Sequence, residues 1–314
     1  VNEVARAWFE RNTSRATDWE LEHLLAAREA SGITISVVIP ARNEAATIGS
    51  VVSRIRAELM DEAKLVDELI VMNSLSSDAT ADIAADLGAR VHSVADVRPE
   101  LGVRAGKGEA LWKSQFVTHG DLLVFIDADL TAWGAHFVSA LLGPLLLDER
   151  IQLVRGFYDR ILDAGRAPST EGGRVTELVA RPLLAAHWPE LAAVVQPLAG
   201  EWSARRSLFE TLSVPVGYGV ELSTMLDTFS AHGLDAIAQV DLGERGHRHQ
   251  SVHDLGAMAL ELICVADARR GHRRGGPHEV PLAQFHRELP ERWEERSVVV
   301  EERPPMASLS RTPA

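Results

Sequence analysis

The sequence predicts an α/β protein on a mostly parallel, Rossmann-like sheet flanked by helices, and three observations predict it. Apolar runs of strand length alternate with helix-period segments between residues 33 and 130, the pattern of right-handed crossover units. Leu122–Ile126 is five apolar residues in a row, which reads as a strand buried on both faces. That strand runs straight into Asp127 and Asp129, and open α/β sheets bind ligands at the carboxyl ends of their strands. A D-x-D there supplies hard oxygen donors for Mg2+ or Mn2+ shared with a diphosphate. A solvated turn would carry the same residues, since Asp is common after strands.

The elements follow in order. Residues 1–32 form a helical arm, with Trp8, Phe9, Trp19, Leu21, Leu24 and Leu25 set among charges, packed on the body or on a second subunit. Ile33–Ile39 is a strand broken at Pro40, and Ala45–Leu59 is a helix with Ile48, Val51, Val52 and Ile55 at helical spacing. Strands at Glu68–Met72 and Ala89–Ser93 bracket a helix at Ala79–Leu87, and Glu109–Val117 is helical ahead of the D-x-D strand. Ile151–Tyr158 is a strand, Ala164–Gly173 a loop and Val175–Ala186 a helix. Gly233–Val240 belongs to one more α/β unit, followed by a His/Arg-rich loop, Glu244–His253, and a helix, Leu255–Ala268. This divides the chain into the arm at 1–32, an α/β domain at 33–212, a C-terminal and more helical region at 213–303, and a loose tail at 304–314.

The chain's 314 residues are enough for a sizeable core. A net charge of −13 excludes nonspecific nucleic-acid or membrane binding and requires any anionic substrate to find a local basic pocket. Cys264 is the single cysteine, so an internal disulfide and a cysteine metal cluster are excluded. No run reaches the ~18 apolar residues of a membrane span, and a cytoplasmic enzyme is expected.

Several segments carry chemistry. Pro40-Ala41-Arg42-Asn43-Glu44 closes the first strand immediately before a helix, where backbone N–H groups can hold a nucleotide; a plain strand-to-helix turn reads the same way. The second strand ends in another polar turn, Asn73-Ser74-Leu75-Ser76-Ser77-Asp78, in which Ser77 or Asp78 also suits a helix cap. Lys107 lies between two glycines, where a loop can close on a phosphate, or be a solvated loop. Gly172-Gly173-Arg174 with Thr176 combines flexible backbone, a guanidinium and a hydroxyl, a set that suits a phosphate monoester; a capped helix explains Thr176 but not Arg174.

With these segments in order, the chain resembles the nucleotide-diphosphate-sugar glycosyltransferases of the A-type fold. More narrowly, Gly106–Trp112, Gly172–Pro182, Gln196–Glu201, Gly217–Glu221 and Leu234–Gln239 are similar to the glucosyl-3-phosphoglycerate synthases of actinobacteria and their mannosyl relatives. The likeness covers residues 33–260 and leaves both ends uncovered. It implies a homodimeric, divalent-metal-dependent, retaining hexosyltransferase. Donor contacts fall on Pro40, Ala41, Asn43, Glu44, Asn73, Ser74, Lys107, Asp127, Asp129 and Arg245. The acceptor, 3-phosphoglycerate, falls on Gly173, Arg174 and Thr176, and the metal on Asp129 and His247. His249 stands at an acceptor position where glucosyl members carry Asn, and Arg248 suits a further phosphate contact or a surface charge.

The turn Asn73–Ser76 departs from the Asp-Ser-Gly-Ser of the glucosyl enzymes. A neutral amide and a bulkier Leu75 alter the base pocket and favour GDP-mannose, or a relaxed donor choice, giving mannosyl-3-phosphoglycerate; UDP-glucose is the alternative. With the D-x-D occupied at the metal, Glu221 is left to orient the sugar or acceptor hydroxyl, and the Leu198 carbonyl to steer the attacking oxygen. Structural roles compete for both, a helix cap for Glu221 and core packing for Leu198. A nucleotidyltransferase is the nearest enzymatic rival, but Pro40–Glu44 lacks its basic Gly-rich loop. A non-catalytic sugar-nucleotide-binding protein has no use for Arg174, Glu221 and His247 together.

Overall fold

Leu122–Ile126 is fully buried at the middle of the sheet in the computed structural model, which describes residues 2–162, 173–247, 251–272, 277–285 and 293–309, and of residues 160–162 and 247 the backbone alone. In chain order the elements are α1 (Glu3–Asn12), β1 (Thr13–Arg15), α2 (Leu21–Ser31), β2 (Ile35–Ala41), α3 (Ile48–Arg54), β3 (Glu68–Asn73), α4 (Thr80–Asp86) and β4 (Arg90–Ser93). Then follow α5 (Lys107–Ser114), β5 (Leu122–Phe125), α6 (His136–Leu147), β6 (Leu153–Leu162), α7 (Arg181–His187), β7 (Trp202–Arg205) and α8 (Arg206–Phe209). The remainder are β8 (Val214–Pro215), α9 (Val220–His232), β9 (Ile237–His247), α10 (Val252–Arg269), β10 (His278–Phe285), β11 (Trp293–Val300) and β12 (Glu302–Arg303).

The main sheet runs β1-β9-β6-β7-β5-β2-β3-β4. All neighbours pair parallel except at β7, which is antiparallel to both β5 and β6. The expected fold class is therefore the observed one. Side chains alternate between two cores, as the two-residue period of a strand requires. Val37, Ile39, Val71 and Val124 enter one with α6, while Val38, Ile70, Leu123 and Phe125 enter the other with Trp112 and Trp202.

Two local differences from the sequence reading have physical causes. β2 continues through Pro40 instead of breaking there. Ile126 N–H donates to Val38 O, so Val38 and, two residues on, Pro40 face β5; pairing with β5 ends at Val38, and no ladder bond is lost. Glu244–His247, expected as loop, extends β9, because β6 continues after an irregularity between Phe157 and Asp159 and pairs with it. The helical arm packs on the body, one of its two expected places: Trp8 is fully buried, its indole N–H donates to Ile237 O at 2.9 Å, and β1 pairs with β9. One sheet thus runs across the expected boundaries at 32 and 212. Among the described residues no helix is long and apolar enough to cross a membrane.

The C-terminal segment braces α5, the helix that opens with Lys107. Arg303 forks onto Glu109 with two 2.6 Å bonds and donates to Leu101 O at 2.8 Å; the Trp112 indole donates to Pro304 O. Residues 304–309, expected as part of a loose tail, include a 3-10 turn at Met306–Ser308 held by Ala307 N–H on Glu210 O; 310–314 lie outside the described residues. Removing one member of a buried pair costs about 3–5 kcal/mol, and Lys113, 3.7 Å from Glu109, remains as a partial counter-charge. Arg303→Met is therefore expected to lower stability by about 3 kcal/mol, measured by urea unfolding; an unchanged midpoint would contradict the brace.

Candidate active site

Two turns at the carboxyl edge of β2 and β3 lock together. Asn43, at φ 58°, accepts from Ser77 N–H at 2.8 Å, while its own N–H donates to Ser76 Oγ at 3.0 Å. Glu44 N–H donates to Thr80 Oγ1, Ala45 N–H to Asp78 Oδ2, and Ser74 N–H to Ala41 O. Asn43, Glu44 and Ser74 are thus held by backbone and side-chain bonds, while Pro40, Ala41 and Asn73 are placed by the β2–β3 register, with Ala41 packed in the core. Asp78 accepts from Thr80 N–H at 3.0 Å in the turn just ahead of α4, but the cap position itself is Ala79, with no side-chain cap bond, so neither Ser77 nor Asp78 is the helix cap.

Beside these turns, β5 delivers the D-x-D into a knot of charge. Lys107 Nζ lies 2.6 Å from Asp127 Oδ1 and 2.8 Å from Glu221 Oε1. Arg245 Nη2 reaches Asp127 Oδ2 at 3.0 Å, Asp129 Oδ1 at 2.9 Å and Glu201 Oε1 at 3.3 Å. Its Nη1 donates to Tyr158 Oη at 2.8 Å. Burial works against the Asp127 carboxylate, but Lys107 and Arg245 outweigh it and hold its pKa at about 2. Burial also works against the Lys107 ammonium, and Asp127 with Glu221 push its pKa up nonetheless. For Glu201, fully buried, burial dominates and raises the pKa despite Arg245.

Close backbone approaches position these groups. Gly108 N–H donates to Gly217 O and Glu109 N–H to Val216 O, tying the Lys107 turn to the entry of α9 that carries Glu221. A Cβ on Gly108 would meet Pro215 O at 1.8 Å, so only glycine lets these strands of chain touch. Glu261 on α10 accepts from Tyr218 N–H at 2.6 Å from the other side.

Gly173, Arg174 and Thr176 stand at the start of the helical stretch leading into α7, with Thr176 buried and Arg174 exposed. That stretch is joined to the cluster through Arg181, which binds Glu177 and donates to Val195 O at 2.6 Å, at the head of the Val195–Glu201 loop. The backbone of His247 ends β9 two residues beyond Arg245; its side chain lies outside the described residues, as do Gly172, Arg248 and His249. Tyr158, Arg155 and the buried Glu201 had no assigned place in the sequence reading. A Glu between Gly200 and Trp202, next to an apolar strand, was the available signal for Glu201.

The model of glycosyl transferase family 2 matches residues 36–166. The glucosyl-3-phosphoglycerate synthase of Mycobacterium tuberculosis (strain H37Rv) is 51% identical over 271 residues, 85% of this chain and 81% of that one. The enzyme of the same name from Mycolicibacterium smegmatis is 43% identical over 308 residues, 98% of this chain and 99% of that one. A crystal structure of the M. tuberculosis enzyme with Mn2+, UDP-glucose and phosphoglyceric acid superposes with a TM-score of 0.82 at 48% identity, covering 92% of this chain and 95% of that one.

These relatives overturn the preference for GDP-mannose and a mannosyl product drawn from Asn73 and Leu75, since the full-length matches are glucosyl enzymes and the superposed one holds UDP-glucose. The turn itself contains the reason. Leu75 adopts φ 58°, the left-handed conformation a glycine would take, and the residue is exposed, so the turn keeps its shape. Asn73 keeps an acceptor oxygen, which already closes the turn on Ser76 N–H at 3.1 Å. The chain belongs to the glucosyl-3-phosphoglycerate synthase family of glycosyltransferases.

Proposed function

We propose that the chain transfers glucose from UDP-glucose to 3-phosphoglycerate with retention of the anomeric configuration, giving glucosyl-3-phosphoglycerate. The observation that carries this reading is the cluster of Lys107, Asp127, Asp129, Glu221 and Arg245 at the carboxyl edge of the sheet. It is supported by relatives whose solved structures hold Mn2+, UDP-glucose and phosphoglyceric acid.

The donor set fits a divalent cation. Asp127 and Asp129 offer hard carboxylate oxygens while sharing a single guanidinium, and Asp129 is about a third exposed. Asp129, with His247, would hold the ion, and a cation bound there lowers the charge on a leaving diphosphate. In the transfer, the bond from the sugar C1 to the diphosphate oxygen breaks and a bond from C1 to the acceptor hydroxyl oxygen forms on the same face. The hydroxyl proton passes to the departing diphosphate. Lys107 neutralises that developing charge, Glu221 orients the sugar or the acceptor hydroxyl, and the Leu198 carbonyl steers the attacking oxygen. Asn73 and Ser74 hold the base, and Arg174 with Gly173 and Thr176 holds the acceptor phosphate.

Two measurements test this. Incubation with UDP-glucose, 3-phosphoglycerate and Mg2+ or Mn2+ is expected to yield a product of the mass of glucosyl-3-phosphoglycerate with an α linkage by NMR. Failure to form it from either metal sinks the assignment. Arg174→Ala is expected to raise the KM for 3-phosphoglycerate tenfold or more, since a charged hydrogen bond contributes about 1.5–3 kcal/mol. If the KM for UDP-glucose rises instead, the acceptor is misplaced.

A further inference from the structure

We infer that Arg155 is a positioning residue that sets the direction of the Leu198 carbonyl, which rests on the role given to that carbonyl above. Arg155 lies on β6, 1% exposed, beneath the turn Gln196–Ala199. Its Nη2 donates to Pro197 O and to Ala199 O, each at 2.9 Å. Gln196 O accepts from Ala199 N–H at 3.1 Å. Three consecutive peptide planes are thereby pinned: the outer two through their oxygens, the middle one through its N–H. The middle plane is the one that carries the Leu198 carbonyl, and its oxygen must point opposite to the pinned N–H because the peptide is planar and trans. Among the described residues, Leu198 O is the one carbonyl of the four that takes no hydrogen bond.

The turn also sits where a steering oxygen is needed. A Cβ on Gly200 would meet Asp127 Oδ2 at 2.0 Å, so the backbone leaving the turn lies directly against the D-x-D. Gly156, next to Arg155, donates its N–H to Glu201 O at 2.9 Å and fixes the other end of the loop. Arg155 is costly to keep. Its Nε and Nη1 are buried without hydrogen-bond partners, and burial lowers its pKa to about 10, which still leaves it charged near neutrality. A loop needing only packing would be served by an apolar residue of similar volume. A guanidinium whose one paired nitrogen spans two carbonyls does what an apolar residue cannot.

The test compares wild type, Arg155→Lys and Arg155→Met in the full chain, measuring transfer from UDP-glucose to 3-phosphoglycerate, hydrolysis of UDP-glucose, and thermal unfolding. Positioning predicts that kcat for transfer falls tenfold or more in R155M while both KM values stay within threefold. It also predicts that the ratio of hydrolysis to transfer rises, because donor activation survives and the acceptor hydroxyl is no longer steered. R155K, which keeps the charge but lacks the fork, should fold and show an intermediate ratio, and it serves if R155M does not fold. A wild-type ratio in folded R155K, or equal losses of hydrolysis and transfer, overturns the inference and leaves the glucosyltransferase reading standing. A wild type that makes no product overturns both.

Discussion

Asp129→Asn is expected to remove nearly all turnover, by a factor of roughly 10^2–10^3 or more, while the protein unfolds at an unchanged temperature. The asymmetry comes from where the two carboxylates sit. Asp127 is pinned by both Lys107 and Arg245, whereas among the described residues Asp129 meets Arg245 alone, and its side chain is 34% exposed. Taking its charge away leaves Arg245 paired with Asp127 and Glu201, so little folding energy is lost. What is lost is an oxygen ligand for the cation that would hold the diphosphate. With the Asp127 pKa at about 2, that carboxylate stays charged throughout any practical assay range and imposes no acid limb of its own above pH 4. Full activity of the wild type after exhaustive chelation, or of D129N itself, would remove the cation from the mechanism.

Much of this site was legible because its chemistry is written in contiguous segments at strand ends. A buried strand must end where its apolar run ends, so the position of Asp127 and Asp129 at the sheet edge followed from Leu122–Ile126 alone. Pro40 misled in β2 because a proline breaks only ladders that need its N–H, and which neighbour a strand faces is a tertiary fact. The antiparallel β7 and the hairpin β10–β11 were missed. β7 is four residues long, and β10 and β11 alternate half-buried and exposed positions, with Val298–Val300 as their one short apolar run. Glu109, Arg303, Glu201 and Arg155 escaped for another reason. Charges deep in a core read as surface charges until the partner, as much as 194 residues away for Glu109 and Arg303, is known. Leu75 shows the opposite error: a change of residue type was taken as a change of turn geometry, yet the backbone adopts the left-handed conformation with leucine in place.

Lys107→Met should show the second large effect, and in two separable ways. In catalysis the variant loses the positive charge available to the leaving diphosphate, and a fall in kcat of about 10^2-fold or more is expected. In stability it strands two carboxylates, because Lys107 is the group that bridges Asp127 and Glu221 at 2.6 and 2.8 Å. Breaking a buried pair costs about 3–5 kcal/mol; the Lys107 side chain is 16% exposed and Arg245 still faces Asp127, so the lower end applies. The pH dependence identifies the source. A carboxylate whose pKa is depressed on folding stabilises the protein fully above its unfolded value, near 3.8 for Asp127, and that contribution disappears as pH falls through the folded value of about 2. Without Lys107 the depression is smaller, so less is lost on acidification. The stability gap between wild type and Lys107→Met is therefore widest at neutral pH and narrows as pH drops from about 4 towards 2, as followed by urea unfolding at pH 7, 4.5 and 3. A gap of constant size across that range would mean that Lys107 holds the fold by packing its alkyl chain, and that Asp127 owes its depressed pKa to Arg245 alone.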